Sequence, residues 1–328
     1  MLSSEKISGQ LHTKWAARNI LYKEITGSTN TDARELAKEG APEGTLVVAD
    51  RQDAGRGSNG RGWETPAGSN IAMSLVVRPK VGPERISMLT LVMGLSVAEG
   101  IELALSETHG DQGGMDAADA GKQEKDCIGM SADNACRIKW PNDVVIGGKK
   151  VCGILTELHM APGGAIEDAI VGVGINVNMV DFPEDIKGVA GSLLTQTGKR
   201  VDRSLVVARV MERFEENYGE FEKTFDLSLL KAQYEKRLIN KDHRVMILDP
   251  HKAGAVDSSQ AVDEKFEGLE KASGESGVDD ERQPGSGDAL GVAVGITDLG
   301  ALLVKMDDGA VGEVMAGEVS VRGIYGYV

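Results

Sequence analysis

The stretch RIKWPNDVVIGGKKVCGILTE, from Arg137 to Glu157, carries the clearest fold signal in the chain. Two apolar runs, DVVIG and KVCGILTEL, flank the dipeptide Gly147-Gly148. Glycines tolerate the positive φ angles of a two-residue hairpin turn, and short apolar runs between turn signals are typical of strands. The stretch therefore predicts a β-hairpin, with RIKW as another short strand before Pro141.

Strands and helices are also predicted on both sides of this hairpin. Apolar runs predict strands at 45–50, 70–79 and 169–178. A helix is expected to start just after Ser28, where Thr29 can cap it and Gly40 can end it. Further helical patterns cover 84–105, 203–224 and 227–239. One stripe of the pattern at 203–224 is predicted to be core: Met211, Phe214, Tyr218 and Phe221.

The last part of the chain has a different residue pattern. After His243 come short apolar runs separated by turn signals such as Asp307-Asp308-Gly309, which predict a small β-barrel domain at 241–328. Two segments have no periodicity. Residues 106–134 are expected to be a mobile insertion, and the acidic, Gly/Ser-rich segment 249–288 is expected to be disordered.

Composition limits the class of protein. The 328 residues carry a formal net charge of -15, so phosphate backbones and anionic lipid surfaces would repel the chain as a whole. The three cysteines lack C-x-x-C spacing and suggest neither a disulfide framework nor a zinc site. The start of the chain lacks the apolar core of a signal peptide, and residues 1–20 are interpreted as a tail. We expect a cytoplasmic protein that binds neither nucleic acid nor membranes.

A Gly/Arg-rich loop is the densest functional signal. In DRQDAGRGSNGRGWETPAGSN, Asp50 to Asn70, glycines alternate with Arg56, Arg61 and Trp63 directly after a strand. Glycines let the backbone approach a ligand, while arginines donate charge-assisted hydrogen bonds to carboxylate or phosphate. A solvated, flexible loop would have the same composition. The loop lacks the G-K-[ST] of a P-loop, so it predicts anion binding of another kind.

The predicted hairpin holds the second functional signal. Asn142-Asp143 precedes it, and Lys149-Lys150 follows its turn. An ATP site needs such groups, because Asp can hold magnesium and Lys can neutralise charge on a reacting phosphate. Asn-Asp after proline is also an ordinary turn, and paired lysines at a hairpin are usually solvated. Neither signal decides the function alone.

Taken together, these segments resemble the biotin protein ligase family. The resemblance rests on six ordered motifs: STN at Ser28–Asn30, GRGSNGRGW at Gly55–Trp63, KWPND at Lys139–Asp143, KKVCGILTE at Lys149–Glu157, GVGINVN at Gly172–Asn178, and GEVSVRG at Gly317–Gly323. It implies a mixed α/β catalytic domain of the class II synthetase type, spanning 21–240, with an SH3-like C-terminal barrel. It also implies an enzyme that forms biotinyl-5'-AMP from biotin and ATP with Mg²⁺, then biotinylates a carrier lysine.

The resemblance assigns site residues motif by motif. Those expected to contact biotin are Ser28, Thr29, Asn30, Gln52, Arg56, Gly57, Ser58, Lys150 and Gly153. Those expected to contact ATP are Arg56, Arg61, Trp63, Lys139, Asn142, Asp143 and Asn176. Lys150 and Arg56 would stabilise charge at the phosphate, and Asp143 is the candidate to assist the acceptor lysine. Glu318 and Arg322 match family motif positions in the barrel.

Two departures from the family pattern affect the expected activity. Ser58 stands where relatives often have arginine, which suggests looser retention of the adenylate. Too few residues precede Ser28 for the helix-turn-helix of the family's repressor members, so operator binding is not expected.

Two alternatives remain open: a lipoate or octanoate ligase or transferase, and an anion- or nucleic-acid-binding module. The expected partner is the biotin carboxyl carrier domain of acetyl-CoA or pyruvate carboxylase. Edge strands could also pair two subunits as a homodimer.

Overall fold

The fold is taken from a computed structural model, which describes residues 1–57, 60, 62–110, 135–164, 166–248, 289–316 and 320–323. The larger part is a seven-stranded sheet with helices, and the smaller part is a five-stranded antiparallel sheet. The helices are α1 Ser4–Gln10, α2 Thr29–Lys38, α3 Ser87–Gly110, α4 Leu193–Thr197, α5 Arg203–Thr224 and α6 Lys231–Arg237, with a 3-10 turn at Pro83–Arg85.

The seven-stranded sheet contains β1 Asn19–Thr26, β2 Thr45–Gln52, β3 Ile71–Val77, β4 Arg137–Lys139, β5 Asp143–Ile146, β6 Lys149–Met160 and β7 Ile166–Ile175. Its strand order is β1-β2-β3-β7-β6-β5-β4, with β1 and β2 parallel and the other neighbours antiparallel. The predicted hairpin is β5–β6. Gly147 and Gly148 have φ angles of 55° and 75°, as the two central residues of such a turn require. The mixed α/β class expected from the sequence is confirmed.

Helices α3 and α5 pack against each other beside this sheet. The predicted aromatic stripe of α5 is buried: Met211, Phe214, Tyr218 and Phe221. At Gly100 of α3, an added Cβ would lie 2.6 Å from Val210 Cα, so glycine permits the close crossing of the two helices. The segment Pro83–Thr108 is long and apolar enough to cross a membrane, but 78% of its most apolar window is buried inside the fold. It is therefore the core helix that its periodicity predicts.

The first twenty residues differ from the expected tail. Helix α1 contacts α5, and Leu2 and Ile7 are buried in the core. Glu215 of α5 accepts hydrogen bonds from the backbone N–H groups of Lys14, Trp15 and Ala16, at 2.7–3.0 Å. This region is ordered because it brings its own apolar side chains and because a carboxylate satisfies its backbone donors.

Two other predicted elements are corrected in length. Helix α3 continues to Gly110, so residues 106–110 are helical and not part of a mobile insertion. Glu107 explains this extension, since its carboxylate pairs with Arg209 of α5 at 2.5 Å. The helix predicted at 227–239 is limited to α6, Lys231–Arg237. Residues 111–134 and the acidic segment 249–288 lie outside the described residues.

The smaller sheet contains β8 Arg244–Leu248, β9 Ala289–Ile296, β10 Leu302–Met306, β11 Val311–Val314 and β12 Ser320–Gly323, in the order β11-β10-β9-β8-β12. It confirms the predicted small C-terminal β domain. Several hydrogen bonds join it to the larger part. Among them, Trp140 Nε1 donates to the Gly300 carbonyl at 3.0 Å, and Leu227 N donates to the Asp298 carbonyl at 2.8 Å. The domain boundaries at 21 and 241 stay predictions.

Candidate active site

A cavity opens where the N-terminus of α2, the Gly/Arg loop and strands β6 and β7 meet. Many of the residues singled out by motif line it: Ser28, Thr29, Asn30, Gln52, Arg56, Gly57, Trp63, Asn142, Lys150 and Gly153. These residues are separated by up to 125 positions in the chain. The sheet therefore brings the STN, GRG, KWPND and KKVCG motifs to one place.

One end of the cavity, here called the deep end, is formed by Thr29 and Asn30 of α2, Gln52 of β2 and Ser74 of β3. The α2 helix begins at Thr29, with Ser28 as its N-cap residue, so its first N–H groups face this end. Gln52 Oε1 accepts from Thr29 N at 2.9 Å and from Thr29 Oγ1 at 3.1 Å. These bonds occupy the oxygen of Gln52. Among the residues that the structure describes, its Nε2 has only a long contact, 3.4 Å, to Thr65 Oγ1.

Asn30 connects this polar group to β6. The Ser74 hydroxyl lies 2.6 Å from Asn30 Oδ1, and Asn30 Nδ2 donates to Glu157 Oε2 at 2.6 Å. Buried amides need partners at both ends, because an unsatisfied polar atom costs about 1–3 kcal/mol. Asn30 is buried and has such partners, so its orientation is defined.

Arg56 lines the same cavity but points towards the deep end. Its guanidinium lies 3.3 Å from Glu157 Oε1 and 3.4 Å from Thr31 Oγ1. The side chain is 53% exposed, so water screens this ion pair. Reaching a phosphate beside Lys150 would require the guanidinium to leave Glu157.

Three glycines form a surface of bare backbone, here called the glycine floor: Gly153 of β6 with Gly172 and Gly174 of β7. An added Cβ would lie 2.1 Å from Asn30 Oδ1 at Gly172, and 2.3 Å from the Trp63 indole at Gly174. At Gly153 it would lie 3.0 Å from Trp63 Cζ3. Asn30 and Trp63 therefore rest directly on the strands, and only glycine leaves them room.

Charge is concentrated at the other end of the cavity. Lys150 Nζ lies 2.6 Å from Asp143 Oδ1, across the β5–β6 hairpin, and 5.5 Å from the centre of the Trp63 ring. Both charged side chains are largely buried, at 22% and 14% exposure. Lys149, by contrast, points away and donates to the Gly188 carbonyl. The structure thus separates the two lysines and brings only Lys150 to the cavity.

Two family models match this chain. The model described as "Biotin/lipoate A/B protein ligase family" matches residues 22–176, and the one described as "Biotin protein ligase C terminal domain" matches residues 282–322. The first covers all but the first residues of the sheet that builds the cavity, and the second covers most of the small β domain. The chain belongs to the biotin protein ligase family.

Curated relatives and solved structures agree with this membership. The chain is 37% identical over 222 residues to the bifunctional ligase/repressor BirA of Bacillus subtilis, covering 67% of this chain but only 60% of that protein. It is 28% identical over 242 residues to the biotin–[acetyl-CoA-carboxylase] ligase of Mycobacterium tuberculosis, covering 73% of this chain and 78% of that protein. The structure of the Aquifex aeolicus biotin protein ligase in complex with biotin and ATP has a TM-score of 0.64 and 28% identity, covering 93% and 99% of the two chains.

Three described residues expected to contact ATP do not line the cavity: Asp143, which reaches it through Lys150, and Asn176 and Lys139. Asn176 is buried, and its Nδ2 donates to the Gly191 carbonyl at 3.0 Å, next to the segment that pairs with Lys150. Lys139 of β4 is the strand partner of Asp143. Ser58, Arg61 and Glu318 lie outside the described residues, as does the side chain of Arg322.

Sequence reasoning missed several residues in and beside this cavity, among them Ser74, Glu157, Gly172 and Gly174. The two glycines had a usable signal, because alternate positions of a strand face the same side and paired glycines there indicate a close approach. Ser74 had none, since a single serine in an apolar strand is unremarkable. Glu157 was quoted within a motif, but nothing in its neighbours pointed to Asn30 or Arg56.

Proposed function

We propose that this protein is an ATP-dependent biotin protein ligase, which forms biotinyl-5'-AMP and pyrophosphate and then biotinylates a lysine of a carrier protein. The observation that supports this most is the two-ended cavity. Its deep end offers amide and hydroxyl groups, as a ring urea requires, and its other end offers the ammonium of Lys150 for a carboxylate or phosphate.

The proposed orientation of biotin follows from the different groups at the two ends of the cavity. A urea has one C=O acceptor and two N–H donors, and the deep end has both kinds of partner in Gln52, Thr29 and Asn30. The apolar part of the ligand would pass over Met73, Ile154 and the glycine floor. Its carboxylate would then lie near Lys150. Ser28, Gly57 and Ser58 complete the proposed biotin contacts.

The first chemical step needs positioning and charge stabilisation. A carboxylate oxygen of biotin attacks the α-phosphorus of ATP, and the bond to pyrophosphate breaks. Lys150 stabilises the negative charge that develops on the phosphoryl oxygens, in a site where partial burial strengthens the interaction. Asp143 holds the ammonium in place at 2.6 Å. Arg56 would contribute after leaving Glu157.

Nucleotide contacts are proposed for Arg61, Trp63, Lys139, Asn142, Asp143 and Asn176. Within the described parts of the chain, no group of three His, Cys, Asp or Glu side chains could hold a metal ion. Asp143 is already engaged by Lys150. Any Mg²⁺ would therefore enter with the triphosphate, where it neutralises charge.

In the second step, the ε-amine of the carrier lysine attacks the acyl carbon of the adenylate and AMP leaves. The lysine must lose a proton, because an ammonium has no lone pair. Asp143 is the proposed proton acceptor, as the carboxylate nearest Lys150. The relatives' names point to an acetyl-CoA carboxylase carrier domain as the substrate, with pyruvate carboxylase as the other expected source. The proposed compartment is the cytoplasm.

A single assay tests the proposal. The purified protein is mixed with ATP and Mg²⁺ and with either biotin or lipoate, while pyrophosphate release and the mass of the adenylate are followed. Biotin-dependent release, followed by a mass increase on an added carrier domain, is the expected result. Release with lipoate alone would assign the protein to lipoate activation. Absence of pyrophosphate release with both ligands would favour a binding module instead.

A further inference from the structure

Glu157 of β6 stands between two parts of the deep end that are far apart in sequence. One carboxylate oxygen accepts from Asn30 Nδ2 at 2.6 Å, and the other lies 3.3 Å from the guanidinium of Arg56. The Glu157 side chain is 31% exposed. It is therefore held by contacts with two residues while remaining partly accessible to solvent. None of the roles proposed above uses it.

The carboxylate determines which end of the Asn30 amide faces it. An ionised carboxylate can only accept hydrogen bonds, whereas the two ends of an amide differ, one donating and one accepting. Nδ2 therefore turns towards Glu157, and Oδ1 turns the opposite way. In the structure, Oδ1 lies over Gly172, where an added Cβ would come within 2.1 Å of it.

This orientation gives the deep end a defined polarity. Asn30 Oδ1 receives the Ser74 hydroxyl at 2.6 Å, and an amide oxygen has a second lone pair. Gln52 is fixed in the opposite sense, because its Oε1 is occupied by Thr29 and only its Nε2 has donor capacity to spare. Both residues line the cavity, and beyond these bonds Asn30 Oδ1 keeps acceptor capacity and Gln52 Nε2 keeps donor capacity.

We propose that Glu157 is a positioning residue which orients the Asn30 amide oxygen towards the glycine floor and so selects a ligand head group that carries an N–H donor. The ring urea of biotin has such donors, and the dithiolane of lipoate has none. This inference rests on the proposed function and names the group that sets its ligand preference.

The test replaces the acceptor. In Glu157→Met the side chain keeps its length but cannot accept from Asn30. The amide Nδ2 then loses its 2.6 Å bond and keeps a contact of 3.5 Å to the Leu155 carbonyl, so its orientation is held less tightly. The KM for biotin is expected to rise about tenfold, the effect of losing one well-placed hydrogen bond. The KM for ATP and the rate with lipoate stay within about twofold. Calorimetric titration with biotin alone should show the same loss of affinity.

Two variants separate this role from a general structural one. Glu157→Gln retains an oxygen that can accept from Asn30, so it should keep most of the biotin affinity, even though it loses the charge facing Arg56. Glu167→Gln removes one charge from an exposed position of β7 and serves as the matched control. If Glu157→Met fails to fold, Glu157→Lys replaces it, because a lysine is compatible with partial exposure and offers only donors.

The outcomes are distinct. A raised biotin KM in Glu157→Met, with recovery in Glu157→Gln, supports the inference. An unchanged biotin KM in Glu157→Met or Glu157→Lys overturns it while leaving the proposed function intact. A wild-type protein that releases no pyrophosphate with biotin overturns the proposed function, and the inference fails with it.

Discussion

Gly174→Ala is the sharpest perturbation of the glycine floor. An alanine Cβ at this position would lie 2.3 Å from Cε2 and Nε1 of Trp63, whereas ordinary contact begins at 3.4 Å. The neighbour is a rigid ring and not the end of a flexible side chain. The indole must therefore move away from Gly174 by about 1 Å or more, which changes its position relative to the Lys150 ammonium, 5.5 Å from the ring centre.

The expected cost follows from overpacking. Inserting one methyl group into a packed site costs roughly 1–3 kcal/mol, which corresponds to roughly a 5- to 150-fold loss in kcat/KM if it acts on the reactive arrangement. Trp63 is only partly buried and stands on a loop, so the loop can absorb much of the displacement. We therefore expect the loss mainly in adenylate formation, and little change in the melting temperature.

The assay is biotin-dependent pyrophosphate release with a parallel thermal melt. Gly153→Ala should show a smaller effect, since its Cβ would lie 3.0 Å from Trp63 and could be accommodated by small shifts. Gly219→Ala in α5 is the control, because its Cβ would meet nothing within 4 Å. Combining Gly174→Ala with Trp63→Ala should be non-additive, because the clash disappears. Strict additivity, or full activity of Gly174→Ala alone, would refute the reasoning.

Three further predictions concern single groups. Lys150→Ala should lower the rate of adenylate formation by about 10²–10³-fold, and Lys149→Ala, which removes only a contact with a carbonyl, should lower it far less; equal losses in both would contradict the assignment. Burial raises the pKa of the Cys136 and Cys152 thiols, so iodoacetamide at mild alkaline pH should leave both unmodified by mass spectrometry until denaturant is added. Burial also raises the pKa of Glu102 above its ordinary 4.5. Its contribution to stability is therefore full below that pH and is lost as pH rises through the raised value, so the difference in unfolding free energy between wild type and Glu102→Gln should change across that window.

The elements that the sequence predicted well are those defined by local patterns. The Gly147-Gly148 turn required only the two flanking strands, and the α5 stripe required only its own 3.6-residue period. The region before residue 21 was different. Its order depends on Glu215, some two hundred positions later, and no local pattern could reveal a carboxylate that accepts three backbone N–H groups.

The candidate site shows the same division. The motifs identified residues in and around the cavity, including Thr29, Lys150 and Asp143, because hydroxyl and charged side chains within a motif indicate polar or ionic contacts with a ligand. They could not show that Arg56 turns towards Glu157, since a guanidinium in a glycine loop has many partners within reach. The partner that Arg56 contacts depends on where β6 places Glu157 relative to the start of α2. That placement is set by the folded sheet and not by the local sequence.

The ligand selectivity of the cavity also depends on this placement of β6 beside α2. An amide such as Asn30 carries no intrinsic preference for the ligand, because either of its ends can face the cavity. The preference arises only when a group that can accept, and cannot donate, is fixed on one side of it. Glu157 is such a group, and Gly172 provides the space for the opposite end. A carboxylate on one strand and a missing side chain on the next can thus define what the cavity recognises, although neither need touch the ligand.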